Sequence, residues 1–222
     1  MFLQRLFRKR PARIDDDPRV HVTPDISRDD FVLVNDQTYE YRSKVLPEAL
    51  TIDFWEPSGL TRRILDSGAL RSEVLDVGCG SGEIAVILAK HGFRVTGIDI
   101  SPVAIRLAHE HKDQHPEIKD RLAFVVHDIE TGPLPRKHSS ALFSHTLEHV
   151  LNPDTTMKNI IASLKPGSTV YVSVPLKKAW NDRTHLRHFS PRSLKRFLAS
   201  YSPDVEVSVD KKEKMIFATV RV

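Results

Sequence analysis

The 222-residue chain is 40% hydrophobic and carries 14 prolines against 9 glycines, which supports one large folded domain, or a medium domain with an extension, and excludes low complexity. Its formal net charge of +4 equals the contribution of Arg5, Arg8, Lys9 and Arg10 alone, so the remainder is balanced and does not call for a nucleic-acid partner. One cysteine excludes an intrachain disulfide framework and fits a reducing, cytoplasmic setting, and no apolar run approaches the roughly 18–20 residues that cross a bilayer.

The first ten residues place Phe2, Leu3, Leu6 and Phe7 on one helical face and the basic residues largely on the other. Such a segment either lies at an anionic membrane surface or is a solvated tail. No long apolar stretch follows, so a secretory signal is not expected. Residues 1–30 read as this basic start and a proline- and aspartate-rich linker. Residues 31–72, with Phe31, Tyr39, Tyr41, Phe54 and Trp55 among polar neighbours, read as a lid with a short helical pattern after Pro57-Ser58-Gly59. Residues 73–222 alternate strand and helix signals as a βαβ sheet requires. The expected strands are Val74–Val77, Arg94–Ile98, Leu122–Val126, Ala141–Ser144 and Thr169–Val174. Helices are expected over 83–90, after the Ser101-Pro102 cap, over 153–164 and after Ser190-Pro191. Val205–Val209 and Met215–Val220 read as a closing antiparallel hairpin.

Within this alternation, Val74-Leu75-Asp76-Val77-Gly78-Cys79-Gly80-Ser81-Gly82 runs a strand into a glycine-rich turn and then a helix. Glycines at alternate positions let a ligand lie against backbone, and the helix start offers free N–H groups. Dinucleotide enzymes space their third glycine three residues after the second, whereas Gly82 follows Gly80 by two. The stretch resembles motif I of class I S-adenosylmethionine (SAM)-dependent methyltransferases, and the resemblance extends over about residues 57–222. It implies a Rossmann-like seven-stranded, mostly parallel α/β sheet with helices on both faces, a C-terminal antiparallel β-hairpin, and SAM as cofactor. It further implies that Gly78, Gly80 and Gly82 carry the methionine portion, with Asp76 near its ammonium. Asp99 would accept from the ribose hydroxyls and Asp128 from the adenine amino group, with Cys79, Ile100 and Ile129 beside them. Taken singly, each acid also reads as a solvated residue at a strand end, and Cys79 reads as a small turn residue rather than a nucleophile.

The run Ser144-His145-Thr146-Leu147-Glu148-His149-Val150 looks like the strand-four region of ubiquinone-biosynthesis and related small-molecule methyltransferases, which have an aspartate where Ser139 stands and a glutamate where His145 stands. The resemblance makes His145, Glu148 and His149 candidates for a divalent ion, since i, i+3 and i+4 share a face on a helical turn. The competing reading has Glu148 and His149 shaping the pocket floor. His185 and His188, in Asp182-Arg183-Thr184-His185-Leu186-Arg187-His188-Phe189, are similar to His-x-x-His-Phe-Ser segments of glycan-, antibiotic-sugar- and lipid-associated methyltransferases. With His149 they are the candidate catalytic residues, a histidine being suited to general-base work near neutral pH. The alternative is that His188-Phe189 only packs ahead of the next helix. The implied reaction is methyl transfer to a hydroxyl of a small-molecule or lipid-linked acceptor, with peripheral membrane contact through residues 1–10. RNA methylation and a non-catalytic SAM-binding scaffold, the latter motivated by Ser139, are the other readings.

Overall fold

The computed structural model describes residues 22–176 and 184–222. The basic segment 1–10 and most of the expected linker lie outside the described residues. The first described elements are helix α1 (Arg28–Val45), a 3-10 turn (Pro47–Leu50), α2 (Ile52–Trp55) and α3 (Gly59–Asp66). The sheet is then built from β1 (Glu73–Val77), β2 (Arg94–Asp99), β3 (Leu122–Val126), β4 (His138–Ser144), β5 (Leu164–Pro175), β6 (Val205–Asp210) and β7 (Met215–Arg221). Between them run α4 (Glu83–Lys90), α5 (Pro102–Asp113), α6 (Pro153–Ala162) and α7 (Pro191–Leu198).

The strands lie in the order β3-β2-β1-β4-β5-β7-β6, with β7 antiparallel to both neighbours and every other pairing parallel. This is the expected seven-stranded fold with its closing hairpin. Alternation along the central strands divides the core: Val74 and Leu142 pack with α2–α5 on one face, and Leu75, Ala141 and Phe143 pack with α6 and α7 on the other. The strand order reverses between β1 and β4, so a crevice opens where their carboxyl ends part.

Three boundaries differ from expectation. The helix over 153–164 stops at Ala162, and β5 starts at Leu164. His138 pairs with Leu164 but Ser140 pairs with Thr169, so Lys165-Pro166-Gly167 bulges from the ladder within the strand. Helix α1 begins at Arg28, inside the expected linker. Ser27 caps it by accepting the Asp30 N–H, and Asp29 and Asp30 favour the positive end of the helix dipole. Only Phe31 and Thr38 of α1 are buried, so the helix lacks the apolar stripe that marks a core helix. Third, β4 begins earlier than Ala141, because Ser139 Oγ accepts the Glu73 N–H and donates to the Glu73 carbonyl, stitching the starts of β1 and β4 together. Among the described residues no helix is long and apolar enough to cross a membrane.

His138 is buried at the start of β4, and neither ring nitrogen has a hydrogen-bond partner among the described residues. Burial holds its pKa below the ordinary imidazole value. The unfolded chain therefore binds a proton that the folded chain resists, so the stability this side chain confers is full above its unfolded pKa and declines as pH falls through it. Urea unfolding of wild type and His138→Leu between about pH 7.5 and 5.5 is expected to show a smaller loss of stability in the variant. Equal losses would remove His138 as a source of acid sensitivity.

Candidate active site

The loop after β1 is shaped by close packing as well as by backbone freedom. Gly78 has φ +70°, and a Cβ there would lie 2.4 Å from the Thr146 side chain; Gly82 has φ +85°. Asp99, buried at the end of β2, holds the loop from below. Its Oδ2 accepts the Gly80 N–H at 3.0 Å and its Oδ1 accepts the Ser101 N–H at 2.9 Å. Burial raises the Asp99 pKa while these two N–H groups oppose the rise. Each oxygen keeps a lone pair for a further donor such as a vicinal diol.

Two adjoining cavities of about 150 and 250 Å³ open at this switch point and share Tyr39, Arg42, Gly78, His145 and His149. The smaller is lined by Asp99, Ile100, Asp128 and Ile129, and the larger by Asp76, Cys79, Gly80 and Glu83. Asp76 is buried, and its Oδ2 has no hydrogen-bond partner among the described residues. Burial, then the charges of Asp99 and Glu83, push its carboxyl up to about 7. Burial likewise raises Glu83, although Ser81 Oγ donates to it at 2.6 Å. An orphaned buried carboxylate oxygen beside a glycine loop is the complement of an ammonium, and the donor set of the adjoining cavity suits an adenosine. The residues therefore fit SAM.

Helix α1 roofs the smaller cavity. Arg28 Nε lies 3.1 Å from Asp128 Oδ2, and its Nη2 lies 3.1 Å from Glu130 Oε2. Asp36 accepts from Ser101 Oγ at 2.5 Å and from the Val103 N–H at 3.3 Å, which fastens α1 to the start of α5. Glu130 also accepts the N–H groups of Leu151 and Asn152, joining the floor of the cavity to the turn before α6.

The turn after β4 and the described segment from Thr184, which follows β5 in the chain, meet over the larger cavity. His145 leaves β4 with φ +52°, so it is not part of the turn that closes from Thr146 to His149. The expected helical sharing of a face is thus wrong for His145. Glu148 nonetheless lies between two imidazoles, 3.6 Å from His145 Nδ1 and 4.0 Å from His149 Nε2. Burial alone would raise the Glu148 pKa, but those two rings outweigh it and the net shift is downward. The group whose ligand atoms converge is Glu148, His149 and His185, all within 4.8 Å of one another, rather than the expected His145, Glu148 and His149. His149 and His185 face each other with ring centroids 4.8 Å apart, while His188 is exposed, 5.9 Å beyond His185 and outside both cavities.

Arg187 binds the two loops into one unit. Its guanidinium donates to the carbonyls of Leu147, Val150 and Leu151, and the Leu186 N–H donates to the Glu148 carbonyl. Four groups that sequence reading did not single out thus shape the site: Arg28, Asp36, Arg42 and Arg187. None belongs to a recognisable spacing. Tyr41, one of the aromatic residues of the expected lid, lines neither cavity, because two residues along a helix turn a side chain by about 200° from Tyr39. Gly82 also turns away: a Cβ there would strike Phe124 and Ala108, so this glycine serves helix packing. Ser139 stands at the amino end of β4, away from the crevice. Its departure from aspartate therefore carries no argument for lost catalysis.

The methyltransferase domain family matches residues 53–202, and the chain belongs to that family. With its fold and site, the matched region is a methyltransferase domain of the class I SAM-dependent type. Similar proteins include the ubiquinone biosynthesis O-methyltransferase of Coxiella burnetii, 31% identical over 137 residues that cover 56% of this chain and 57% of the relative. That of Xylella fastidiosa is 30% identical over 150 residues, covering 60% and 59%. The chain spans little more than half the length of these relatives. Among solved structures, a DhpI complex with S-adenosylhomocysteine aligns with TM-score 0.65 at 21% identity, covering 88% of this chain and 98% of that one. The [4+2]-cyclase SpnF aligns with TM-score 0.65 at 19% identity, covering 84% and 94%. At such identities the likeness is one of fold.

A ligand ammonium placed against Asp76 favours its carboxylate form, so binding below about pH 7 displaces a proton. Calorimetry with S-adenosylhomocysteine at about pH 6.5, in buffers of differing ionisation enthalpy, is expected to show proton release, with affinity rising toward a plateau above neutrality. Asp76→Asn is expected to abolish that release and weaken binding about tenfold or more. Release that persists in the variant would place the ammonium elsewhere.

Proposed function

We propose that the protein transfers a methyl group from SAM to a hydroxyl oxygen of a small-molecule acceptor, with His149 as the general base. The observation that carries this reading is the hydrogen bonding of His149. Its Nδ1 lies 3.0 Å from the Thr184 carbonyl oxygen and 3.1 Å from Thr184 Oγ1; a hydrogen on Nδ1 donated to the carbonyl leaves the lone pair on Nε2 that a base needs. Glu148, 4.0 Å from Nε2, stabilises the imidazolium formed when that nitrogen takes the hydroxyl proton. Bound SAM supplies a methyl group already activated by its sulfonium charge. The task left to the chain is alignment and proton removal, with Leu50, Phe54 and Trp55 offering an apolar wall to the acceptor's body. The relatives described as ubiquinone biosynthesis O-methyltransferases support a hydroxyl as the accepting group. A lipid-linked acceptor belongs to the same proposal.

Small hydroxy compounds, phenolic ones and lipid extracts included, would be incubated with SAM and S-adenosylhomocysteine release followed. On an active acceptor, His149→Ala is expected to lower kcat about 100- to 10,000-fold while S-adenosylhomocysteine binding holds. Unaltered kcat would exclude His149 as the base.

A second reading has one observation in its favour. Neither carboxylate oxygen of Glu148 has a hydrogen-bond partner among the described residues, and its convergence with His149 and His185 offers the oxygen and nitrogen donors that zinc or manganese accepts. This reading expects turnover to fall on chelation and return with zinc or manganese, and Glu148→Gln to lose metal binding. Turnover indifferent to a chelator rules it out.

A further inference from the structure

Arg42, in the last turn of α1, lies on the wall common to both cavities. Its guanidinium carbon stands 5.9 Å from the centroid of the Tyr39 ring, and among the described residues its side chain makes no ion pair or hydrogen bond. The other arginine at these walls, Arg28, is already matched by Asp128 and Glu130. The same larger cavity holds the opposite deficit, since Asp76 Oδ2 is buried without a hydrogen-bond partner. A guanidinium whose charge reaches Glu83 without a contact ion pair, and a carboxylate oxygen with no donor among the described residues, on the walls of one cavity, complement an amino-acid zwitterion. Arginine suits the anionic half because its planar fork meets both carboxylate oxygens at once.

We propose that Arg42 binds the carboxylate of the amino-acid end of SAM while Asp76 receives its ammonium, so that helix α1 is part of the cofactor site and not only its roof. This rests on the methyltransferase reading. It also gives Tyr39 a place: its hydroxyl packs over Gly80, so close that a Cβ there would lie 2.7 Å from it, and the helix that carries Arg42 is thereby seated on the glycine loop.

The test compares S-adenosylhomocysteine with 5′-methylthioadenosine, which keeps the nucleoside and thioether but lacks the amino-acid end. By calorimetry, Arg42→Met is expected to weaken S-adenosylhomocysteine about 10- to 100-fold and methylthioadenosine by less than about twofold. Arg42→Lys, which keeps the charge but loses the fork, is expected to recover part of the loss. Two results overturn the proposal: an Arg42→Met variant that binds S-adenosylhomocysteine as wild type does, or one that loses affinity for both ligands alike. The first would leave Arg42 for an acceptor's anion, the second for seating α1. Should circular dichroism show Arg42→Met unfolded, the same comparison is read from Arg42→Lys against wild type. Wild type that binds neither ligand defeats the methyltransferase reading itself, whereas unchanged preference between the two ligands defeats only the role of Arg42.

Discussion

The geometry of the crevice depends on one buried carboxylate. Asp99 takes the N–H of Gly80 on one oxygen and that of Ser101 on the other, so the end of β2, the glycine loop after β1 and the start of α5 are fixed to a common point. Charged groups resist such burial, and Asp99 tolerates it because backbone donors replace the lost water. The start of α5 then becomes the anchor for Asp36, and through it for α1. The roof of one cavity and the floor of the other are thus referred to the same side chain.

The sheet was legible because its signals are local. Alternation along β1 and β4, the Ser101-Pro102 and Ser190-Pro191 caps, and the two β-rich runs at the end each appear in a few consecutive residues. The acids at the ends of β1 and β2 were legible for the same reason, since each follows a readable strand. Helix α1 was not, because its stability comes from Arg28 and Asp36 reaching residues 65 or more positions away and not from an apolar stripe. His145 was misplaced for a subtler reason. Spacing of i, i+3 and i+4 predicts a shared face only if every residue is helical, and a left-handed backbone at His145 breaks that assumption. His185 could be named from its motif, but its approach to His149 required two loops to meet, which no spacing encodes.

A fold shared with a [4+2]-cyclase and an S-adenosylhomocysteine complex separates what the sheet supplies from what the loops supply. The sheet supplies a crevice at the β1–β4 reversal. The proposed function assigns the chemistry to the segments after β4 and β5, and Arg187 makes the described parts of those two segments one body. Three carbonyls of the 147–151 turn converge on its guanidinium, and burial lowers its pKa from the usual arginine range. Carbonyls that would otherwise lie unmatched near the site are thereby satisfied without any group that competes with the histidines for protons.

The way α1 is attached has a kinetic side. Few of its side chains are buried, and the polar part of its seat is made by Arg28, which lines the smaller cavity, and by Asp36, which holds the start of α5. Lifting it exposes little apolar surface, so the entropy of disordering the segment is opposed by only a handful of ionic and hydrogen-bonded links. A spent nucleoside can then depart by local detachment of one helix while the sheet stays intact, on the microsecond-to-millisecond scale of lid motions. Under the proposed function, such an attachment makes the lifting of the roof a step of turnover beside the making of the bond.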